Sequence, residues 1–177
     1  MQGHDRKLLI LDLDETQIFA SEQPLSRPHD FVVDSFFVYK RPHLDDFLCL
    51  CADYYDLAVW SSGSTPYVEE AVGKLMPVGI EPVLVWSQKR CTRHLDSETH
   101  DECFLKDLKK IKRAGFDLRG VLIVDNTPGV VKRHYGNAVY VRAYLGDASD
   151  DCLPRLARFL ISIHREPDVR VIEKRGW

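Results

Sequence analysis

Side chains that can perform catalysis stand directly after three short apolar runs of the sequence. They are Asp12 and Asp14 after the run 8–11, Ser61 after the run 57–60, and Asp125 with Asn126 after the run 121–124. An aspartate can act as a nucleophile toward phosphorus, and a second carboxyl group can deliver or accept a proton. Oxygen ligands without histidine or thiolate suit a hard cation such as Mg²⁺. These residue types therefore indicate metal-assisted chemistry on a phosphate group, provided that the fold brings the three ends together.

Chemistry on a phosphate also needs hydrogen-bond donors and a positive side chain around the transferring group. Ser61 and the backbone N–H groups that follow it can supply donors at the start of a helix. Lys106 is the candidate cation. Each residue has a structural alternative, because a lysine in a Lys/Asp-rich segment is often solvated and an aspartate after a strand often only forms a turn. Three such strand ends in one chain favour a common site.

The elements that must position these residues alternate along the chain. Five short apolar runs, typical of strands buried on both faces of a parallel sheet, occupy residues 7–13, 56–60, 82–86, 121–124 and 138–141. Helical signals lie between them, among them Thr65 as an N-cap before Pro66. Alternating strands and helices predict an α/β fold with a doubly wound, Rossmann-like parallel sheet of about five strands. Ligands bind such folds outside the carboxyl ends of the strands.

Four ordered segments resemble the motifs of a known phosphatase branch. The segment Asp12-Leu13-Asp14-Glu15-Thr16 is similar to the nucleophile motif of the haloacid dehalogenase superfamily, in the form typical of its carboxy-terminal-domain (CTD) phosphatases. Segments 38–48, 105–108 and 122–128 resemble the later motifs of that branch and follow in the same order. The resemblance covers roughly residues 6–172. It implies a small β insertion after the first motif, at about residues 17–40.

The resemblance also implies a role for each candidate residue. Asp12 would be the nucleophile and Asp14 the general acid and base, while Ser61 and Lys106 would bind the phosphate. The metal site for Mg²⁺ would comprise the Asp12 carboxylate, the Asp14 main-chain carbonyl and the Asn126 side chain, with Asp125 beside the ion.

The implied activity is a Mg²⁺-dependent phosphoprotein phosphatase that forms an aspartyl-phosphate intermediate. Its substrates would carry phosphoserine or phosphothreonine, with phosphotyrosine left open. Two alternatives stay open as well: a 3′-phosphatase acting on nucleic-acid ends, and a catalytically silent scaffold that binds phosphoproteins. Ser61 stands where the family usually has threonine, and residues 22–37 match poorly, so the substrate is not identified.

Composition narrows the remaining classes. The 177 residues carry 24 Lys and Arg against 27 Asp and Glu, a formal net charge of −3, which makes a nucleic-acid partner unlikely. No apolar run approaches the length of a membrane span, and no secretory signal is visible, so we expect one domain over residues 1–177 and no membrane partner. Five scattered cysteines indicate a reducing compartment. We therefore expect an intracellular monomer, cytoplasmic or nuclear, whose partner is a phosphorylated protein or peptide.

Cys91, His94, His100 and Cys103 form a symmetric spacing that leaves two interpretations. They could bind zinc as a small knuckle. The alternative is a β-hairpin turning around residues 95–99, in which Cys91 faces Cys103 and His94 faces His100. We expect the hairpin, because residues three apart on a strand point to opposite faces.

Overall fold

The computed structural model describes residues 6–95 and 102–177. Its strands are β1 (Lys7–Leu11), β2 (Ile18–Ser21), β3 (Phe31–Val33), β4 (Phe36–Lys40), β5 (Tyr55–Trp60), β6 (Leu84–Trp86), β7 (Thr92–Leu95), β8 (Glu102–Leu105), β9 (Val121–Asp125) and β10 (Ala138–Tyr140). Its α-helices are α1 (Leu44–Tyr54), α2 (Thr65–Leu75), α3 (Lys109–Arg113) and α4 (Cys152–Ile163). Short 3₁₀ segments lie at Gln88–Arg90, Leu118–Gly120, Pro128–Asn137 and Val169–Val171.

The five predicted apolar runs form one sheet in the order β10-β9-β1-β5-β6, and every neighbouring pair is parallel. This confirms the predicted fold class. The chain leaves β1 for β5 and β6 on one side and returns to β9 and β10 on the other. The order of the strands therefore reverses beside β1, where open α/β sheets form their binding crevice.

The strands are apolar throughout because both faces of the sheet are covered. In β1, Leu9 and Leu11 pack into one buried cluster with α1, α2 and α4, whereas Leu8 and Ile10 pack into another with α3. The second cluster contains Trp60 and Trp86, whose rings meet edge to face at 4.9 Å. Full burial of each leucine or isoleucine side chain contributes about 1.5–3 kcal/mol, so the packed sheet is a stable base for the loops at its edge.

Helix α2 begins with a serine cap rather than the predicted Thr65 cap. Ser64 has an extended backbone, and its side chain accepts a hydrogen bond from the N–H of Tyr67, while Pro66 lies in the first turn. The prediction was wrong by one residue because either hydroxyl satisfies the same sequence pattern. Tyr67 lies in this first turn, and its hydroxyl reaches Asp14 at the carboxyl edge of the sheet.

The segment after the first motif forms the expected β insertion. Strands β2, β4 and β3 make a separate three-stranded antiparallel sheet in that order. The insertion is tied to the main body by Arg41, whose guanidinium makes two hydrogen bonds of 2.8 Å to the Asp150 carboxylate. A buried ion pair therefore fixes the insertion beside the loop that carries Asp12 and Asp14.

The segment with the symmetric cysteine and histidine spacing contains an antiparallel hairpin of β7 and β8. Its register pairs His94 with Cys103 and Thr92 with Leu105, so the predicted pairing of Cys91 with Cys103 was wrong. The register places Leu105 at only 2% exposure, and burial of that side chain outweighs the symmetry of the spacing. His100 lies outside the described residues, which leaves zinc binding an open prediction.

Over the described ranges, no helix is both long and apolar enough to cross a bilayer.

Candidate active site

The loop after β1 turns sharply at the edge of the sheet. The N–H of Asp12 still bonds the Val124 carbonyl at 3.0 Å, which continues the sheet pairing by one residue. The next turn is closed by N–H groups that converge on the Leu13 carbonyl, and Glu15 adopts a left-handed φ of 57°. Because a left-handed φ is uncommon outside glycine, this turn is a specific local geometry. It brings Asp12 and Asp14, two positions apart, to the same cleft.

Asp12, Lys106 and Asp125 form a buried charge cluster. The Lys106 Nζ donates to Asp12 Oδ1 at 2.5 Å and to Asp125 Oδ2 at 2.7 Å. The backbone N–H of Lys106 bonds the Val130 carbonyl at 2.8 Å, which fixes the start of this long side chain. Burial alone would lower the pKa of Lys106, but the two carboxylates raise it on balance. Lys106 is therefore a fixed cation and not a solvated helix residue.

One lysine between two carboxylates leaves an excess of negative charge. Burial raises the pKa of Asp125 to about 6, and repulsion from Asp12 adds to this effect, while Lys106 opposes it. The second oxygen of Asp125 accepts the N–H of Thr127 at 2.8 Å. Both Asp125 oxygens are thus engaged with protein groups, and the carboxylate chiefly holds Lys106 in place.

Asp14 lies across the cleft with two hydroxyl partners. Tyr67 donates to its Oδ1 at 2.5 Å, and Ser61 donates to its Oδ2 at 3.3 Å. Burial raises the pKa of Asp14; the Tyr67 hydrogen bond lowers it, and the charge of Asp12 raises it further. A raised pKa favours the protonated carboxyl group, which is the form that can donate a proton.

Two oxygen atoms converge at the other side of Asp12. The Thr16 hydroxyl donates to Asp12 Oδ2 at 2.9 Å and lies 3.3 Å from Asn126 Oδ1. The Asn126 amide is oriented by its own N–H group, which donates to Glu15 Oε2 at 3.0 Å. The Thr127 hydroxyl also bonds Asn126 Oδ1, at the longer distance of 3.4 Å. Asp12 Oδ2 and Asn126 Oδ1 are thus two neighbouring acceptor oxygens of the kind that can face a cation.

The donor set fits Mg²⁺. Carboxylate, amide and main-chain carbonyl oxygens are its usual protein ligands, and the excess of buried carboxylates favours a cation on electrostatic grounds. In the part of the chain that the structure describes, no three His, Cys, Asp or Glu side chains are grouped to hold a metal alone. A metal here would therefore need the Asn126 amide or a main-chain carbonyl as well.

The loop after β5 forms the remaining wall of the cleft. The N–H of Ser61 bonds the Trp86 carbonyl at 2.9 Å, and the hydroxyl accepts the N–H of Gly63 at 2.9 Å. Ser62 lines the cleft. A side chain at position 63 would place its Cβ 3.0 Å from the ring of Tyr67, so glycine permits this close approach.

The resulting cleft has a volume of about 200 Å³, which is enough for a phosphate group and its immediate surroundings. Five of the six residues predicted from sequence line it: Asp12, Asp14, Lys106, Asp125 and Asn126. The sixth, Ser61, is buried behind the lining and reaches the site through its hydrogen bond to Asp14.

Sequence reasoning missed three side chains that support the cleft. Thr16 belongs to the first motif and could have been found there as a hydroxyl next to carboxylates. Arg41 belongs to the family-like segment 38–48, but nothing local predicted its pairing with Asp150, 109 positions away. Tyr67 lies outside the recognised motifs and contacts a residue 53 positions away. Arg41 also donates to the Thr16 carbonyl at 3.1 Å and so supports the loop that holds Asp14.

Comparisons with known proteins agree with this architecture. A family model described as NLI interacting factor-like phosphatase matches residues 7–170. CTD nuclear envelope phosphatase 1B of Danio rerio is 33% identical over 186 residues, covering 97% of this chain and 72% of that protein. The Homo sapiens carboxy-terminal domain RNA polymerase II polypeptide A small phosphatase 1 is 29% identical and covers 95% of this chain and 63% of that protein.

Among solved structures, the fission yeast RNA polymerase II CTD phosphatase Fcp1 bound to beryllium fluoride has a TM-score of 0.60 and 21% identity. The match covers 89% of this chain and 50% of that one, so the chain spans half the length of this structural relative. At that identity the likeness establishes the fold.

The sheet, the motifs and the relatives together define a phosphatase of the haloacid dehalogenase superfamily, in its CTD phosphatase branch. The chain belongs to the NLI interacting factor-like phosphatase family. The resemblance found in the sequence is thereby confirmed.

Proposed function

We propose that this chain is a Mg²⁺-dependent phosphoprotein phosphatase that works through an aspartyl-phosphate intermediate. The observation that carries the proposal is the convergence of Asp12, Lys106 and Asp14 on one small cleft, with a fixed cation 2.5 Å from the nucleophile. A carboxylate, a proton donor and a cation are the three groups that phosphoryl transfer through aspartate needs.

In the first step, an Asp12 carboxylate oxygen attacks phosphorus. The bond from phosphorus to the leaving oxygen breaks, and that oxygen takes a proton from Asp14. Lys106 neutralises charge on the phosphoryl oxygens and limits repulsion between the phosphate and the carboxylates. Ser61 and Ser62, of which Ser62 lines the cleft, would donate hydrogen bonds to the same oxygens.

In the second step, water loses a proton to Asp14 and attacks the phosphorus of the aspartyl phosphate. The bond to the Asp12 oxygen breaks, and inorganic phosphate leaves with the cycle restored. The Asp12 carboxylate, the Asn126 side chain and the Asp14 main-chain carbonyl would hold the Mg²⁺ ion. Asp125 would lie beside the ion and act on it indirectly, through its hydrogen bond to Lys106. The bound ion supplies positive charge next to the phosphoryl oxygens.

We further propose that the substrate is a phosphoserine or phosphothreonine in a protein segment, with phosphotyrosine as the alternative that the phosphopeptide panel tests. The names of the zebrafish, human and yeast relatives all concern CTD phosphatases. The cleft volume of about 200 Å³ suits a side-chain phosphate, and the insertion sheet would supply a surface for the peptide. A monomeric enzyme in the cytoplasm or nucleus remains our prediction.

The proposal is tested by assaying the full chain on p-nitrophenyl phosphate and on a panel of phosphopeptides, with Mg²⁺ or with a chelator. We expect turnover only with Mg²⁺. The Asp14→Asn variant, mixed briefly with p-nitrophenyl phosphate, should accumulate the covalent intermediate, because the second step lacks its base. Mass spectrometry of the acid-quenched protein would show one added phosphoryl group on the peptide that contains Asp12.

Three results would contradict this function. Turnover that is unchanged in chelator would contradict the Mg²⁺ requirement. A phosphoryl group found on another residue would contradict the assignment of Asp12 as the nucleophile. Absence of turnover on every substrate would favour the scaffold alternative.

A further inference from the structure

Tyr67 contacts the proposed general acid although it lies outside every motif recognised in the sequence. It occupies the first turn of α2, where its backbone N–H bonds the Ser64 side chain. Its hydroxyl donates to Asp14 Oδ1 at 2.5 Å. Ser61 approaches the other oxygen, Oδ2, at the longer distance of 3.3 Å. The two carboxyl oxygens of Asp14 therefore have different partners and different degrees of restraint.

The Tyr67 ring is held from two directions. The Phe36 ring from the insertion sheet meets it edge to face, with centroids 6.1 Å apart and planes at 76°. The backbone of Gly63 passes so close that an added Cβ would lie 3.0 Å from the ring. Burial raises the pKa of the Tyr67 hydroxyl, so the group remains a protonated donor throughout the neutral range. The hydroxyl is thus presented to Asp14 at a fixed place.

We propose that Tyr67 is a positioning residue that anchors Oδ1 of Asp14 and leaves Oδ2 to carry the proton to the leaving oxygen. This inference rests on the proposed function. In the proposed function Ser61 also donates a hydrogen bond to the substrate phosphate, so a bound phosphate competes with Asp14 for the Ser61 hydroxyl. Tyr67 then becomes the remaining side-chain hydroxyl on the Asp14 carboxyl group.

The hydrogen bond from Tyr67 to Asp14 also becomes stronger during the reaction. As the bond from phosphorus to the leaving oxygen breaks, the proton on Oδ2 moves to that oxygen, and Asp14 becomes a carboxylate. A hydrogen bond to a carboxylate is stronger than one to a neutral acid. The Tyr67 bond therefore strengthens as the proton leaves, which stabilises the transition state more than the ground state.

Leaving groups of different basicity test this role. A nitrophenolate leaves with little protonation, whereas phenol, with a pKa of about 10, and a serine alkoxide need the acid. We expect Tyr67→Phe to lower kcat/KM for phenyl phosphate and a phosphoserine peptide about tenfold, a part of the 10²–10⁴-fold that general acid catalysis supplies. The loss on p-nitrophenyl phosphate should be below about twofold. Tyr54→Phe, on α1 with its ring against His164, is the matched control and should leave all three rates unchanged.

A double-mutant cycle separates positioning from a structural effect. If Tyr67 acts through Asp14, then adding Tyr67→Phe to Asp14→Asn should change kcat/KM for phenyl phosphate less than twofold, by about the additivity error of such cycles. An equal loss on all leaving groups, no loss at all, or full additivity with Asp14→Asn would each overturn the inference. Thermal melting of Tyr67→Phe close to that of the wild type confirms folding. Lack of turnover in the wild type would instead contradict the proposed function.

Discussion

Two buried clusters in this protein both combine a basic side chain with aspartates, and they differ in net charge. Arg41 and Asp150 form one cation and one anion joined by two hydrogen bonds of 2.8 Å, with side chains that are 0% and 4% exposed. Lys106 instead stands between the two carboxylates of Asp12 and Asp125. The first cluster is neutral, and the second carries an excess negative charge.

The further hydrogen bonds of the two clusters also differ. The Arg41 guanidinium also donates to the Thr16 and Arg142 carbonyls, and Asp150 accepts the N–H of Cys152. Hydrogen bonds of this kind offset the cost of burying charge. In the Lys106 cluster one cation faces two carboxylates, and burial together with repulsion from Asp12 raises the pKa of Asp125. The balanced pair needs no further charge, whereas the excess negative charge of the Lys106 cluster favours a bound cation.

Asp12→Asn should separate activity from stability most clearly. We expect kcat/KM on p-nitrophenyl phosphate to fall on the order of 10⁴-fold or more, since the nucleophile is lost. The melting temperature in chelator should equal or exceed that of the wild type, because the change removes a buried carboxylate that repels Asp125. Calorimetry and initial rates on the same preparation check both parts. A marked loss of stability would mean that this cluster is structural as well.

Arg41→Met should have the opposite profile. Removing one partner of a buried ion pair leaves an unpaired charge, which costs about 3–5 kcal/mol of unfolding free energy. Urea unfolding measures this loss. The double variant Arg41→Met with Asp150→Leu should recover most of it, because no charge is then buried. If the single and double variants were equally unstable, the pair itself would not be the source of the stability.

The Arg41 cluster should also contribute a pH dependence of known sign. Burial alone would raise the pKa of Asp150, but the hydrogen bond from Arg41 and its charge lower it on balance. An aspartate with a lowered native pKa stabilises the fold above its unfolded pKa of about 3.9 and loses that contribution as pH falls through the native value. The stability difference between the wild type and Asp150→Asn should therefore shrink below about pH 4. A difference that grows on acidification would contradict this assignment.

Thr16→Val should give the smallest effect, and it tests whether the oxygens of Asp12 and Asn126 bind the metal. The hydroxyl lies between Asp12 Oδ2 and Asn126 Oδ1, so its loss leaves these oxygens less well placed for a cation. We expect the Mg²⁺ concentration for half-maximal activity to rise about threefold, as the loss of one hydrogen bond allows. Thr65→Val, whose hydroxyl bonds Ser87 instead, is the control and should leave the Mg²⁺ requirement unchanged.

Much of the catalytic site could be predicted because its signals are local. Each of Asp12, Ser61 and Asp125 follows an apolar run, and a parallel sheet brings such ends to one edge whatever the details of packing. The fold class followed from the same alternation of runs and helices. The family motifs then gave roles to Lys106 and Asn126, which composition and spacing alone left ambiguous.

The remainder depended on contacts between distant segments. The Tyr67 bond to Asp14 and the Arg41 pair with Asp150 join residues 53 and 109 positions apart, and no periodicity encodes either pairing. The hairpin register was mispredicted because the burial of Leu105, and not the symmetry of the cysteines, decides which residues face each other.

The sequence by itself therefore determined which residues could perform chemistry and which edge of the sheet would present them. Apolar runs and polar run ends are properties of single segments, and they carry that information directly. Only the tertiary structure decided which carboxylate is held by the lysine, which by a tyrosine, and which is neutralised by an arginine. Those assignments depend on burial and on distances between segments, and these fix the charge balance that distinguishes the Arg41 ion pair from the cluster at the candidate active site.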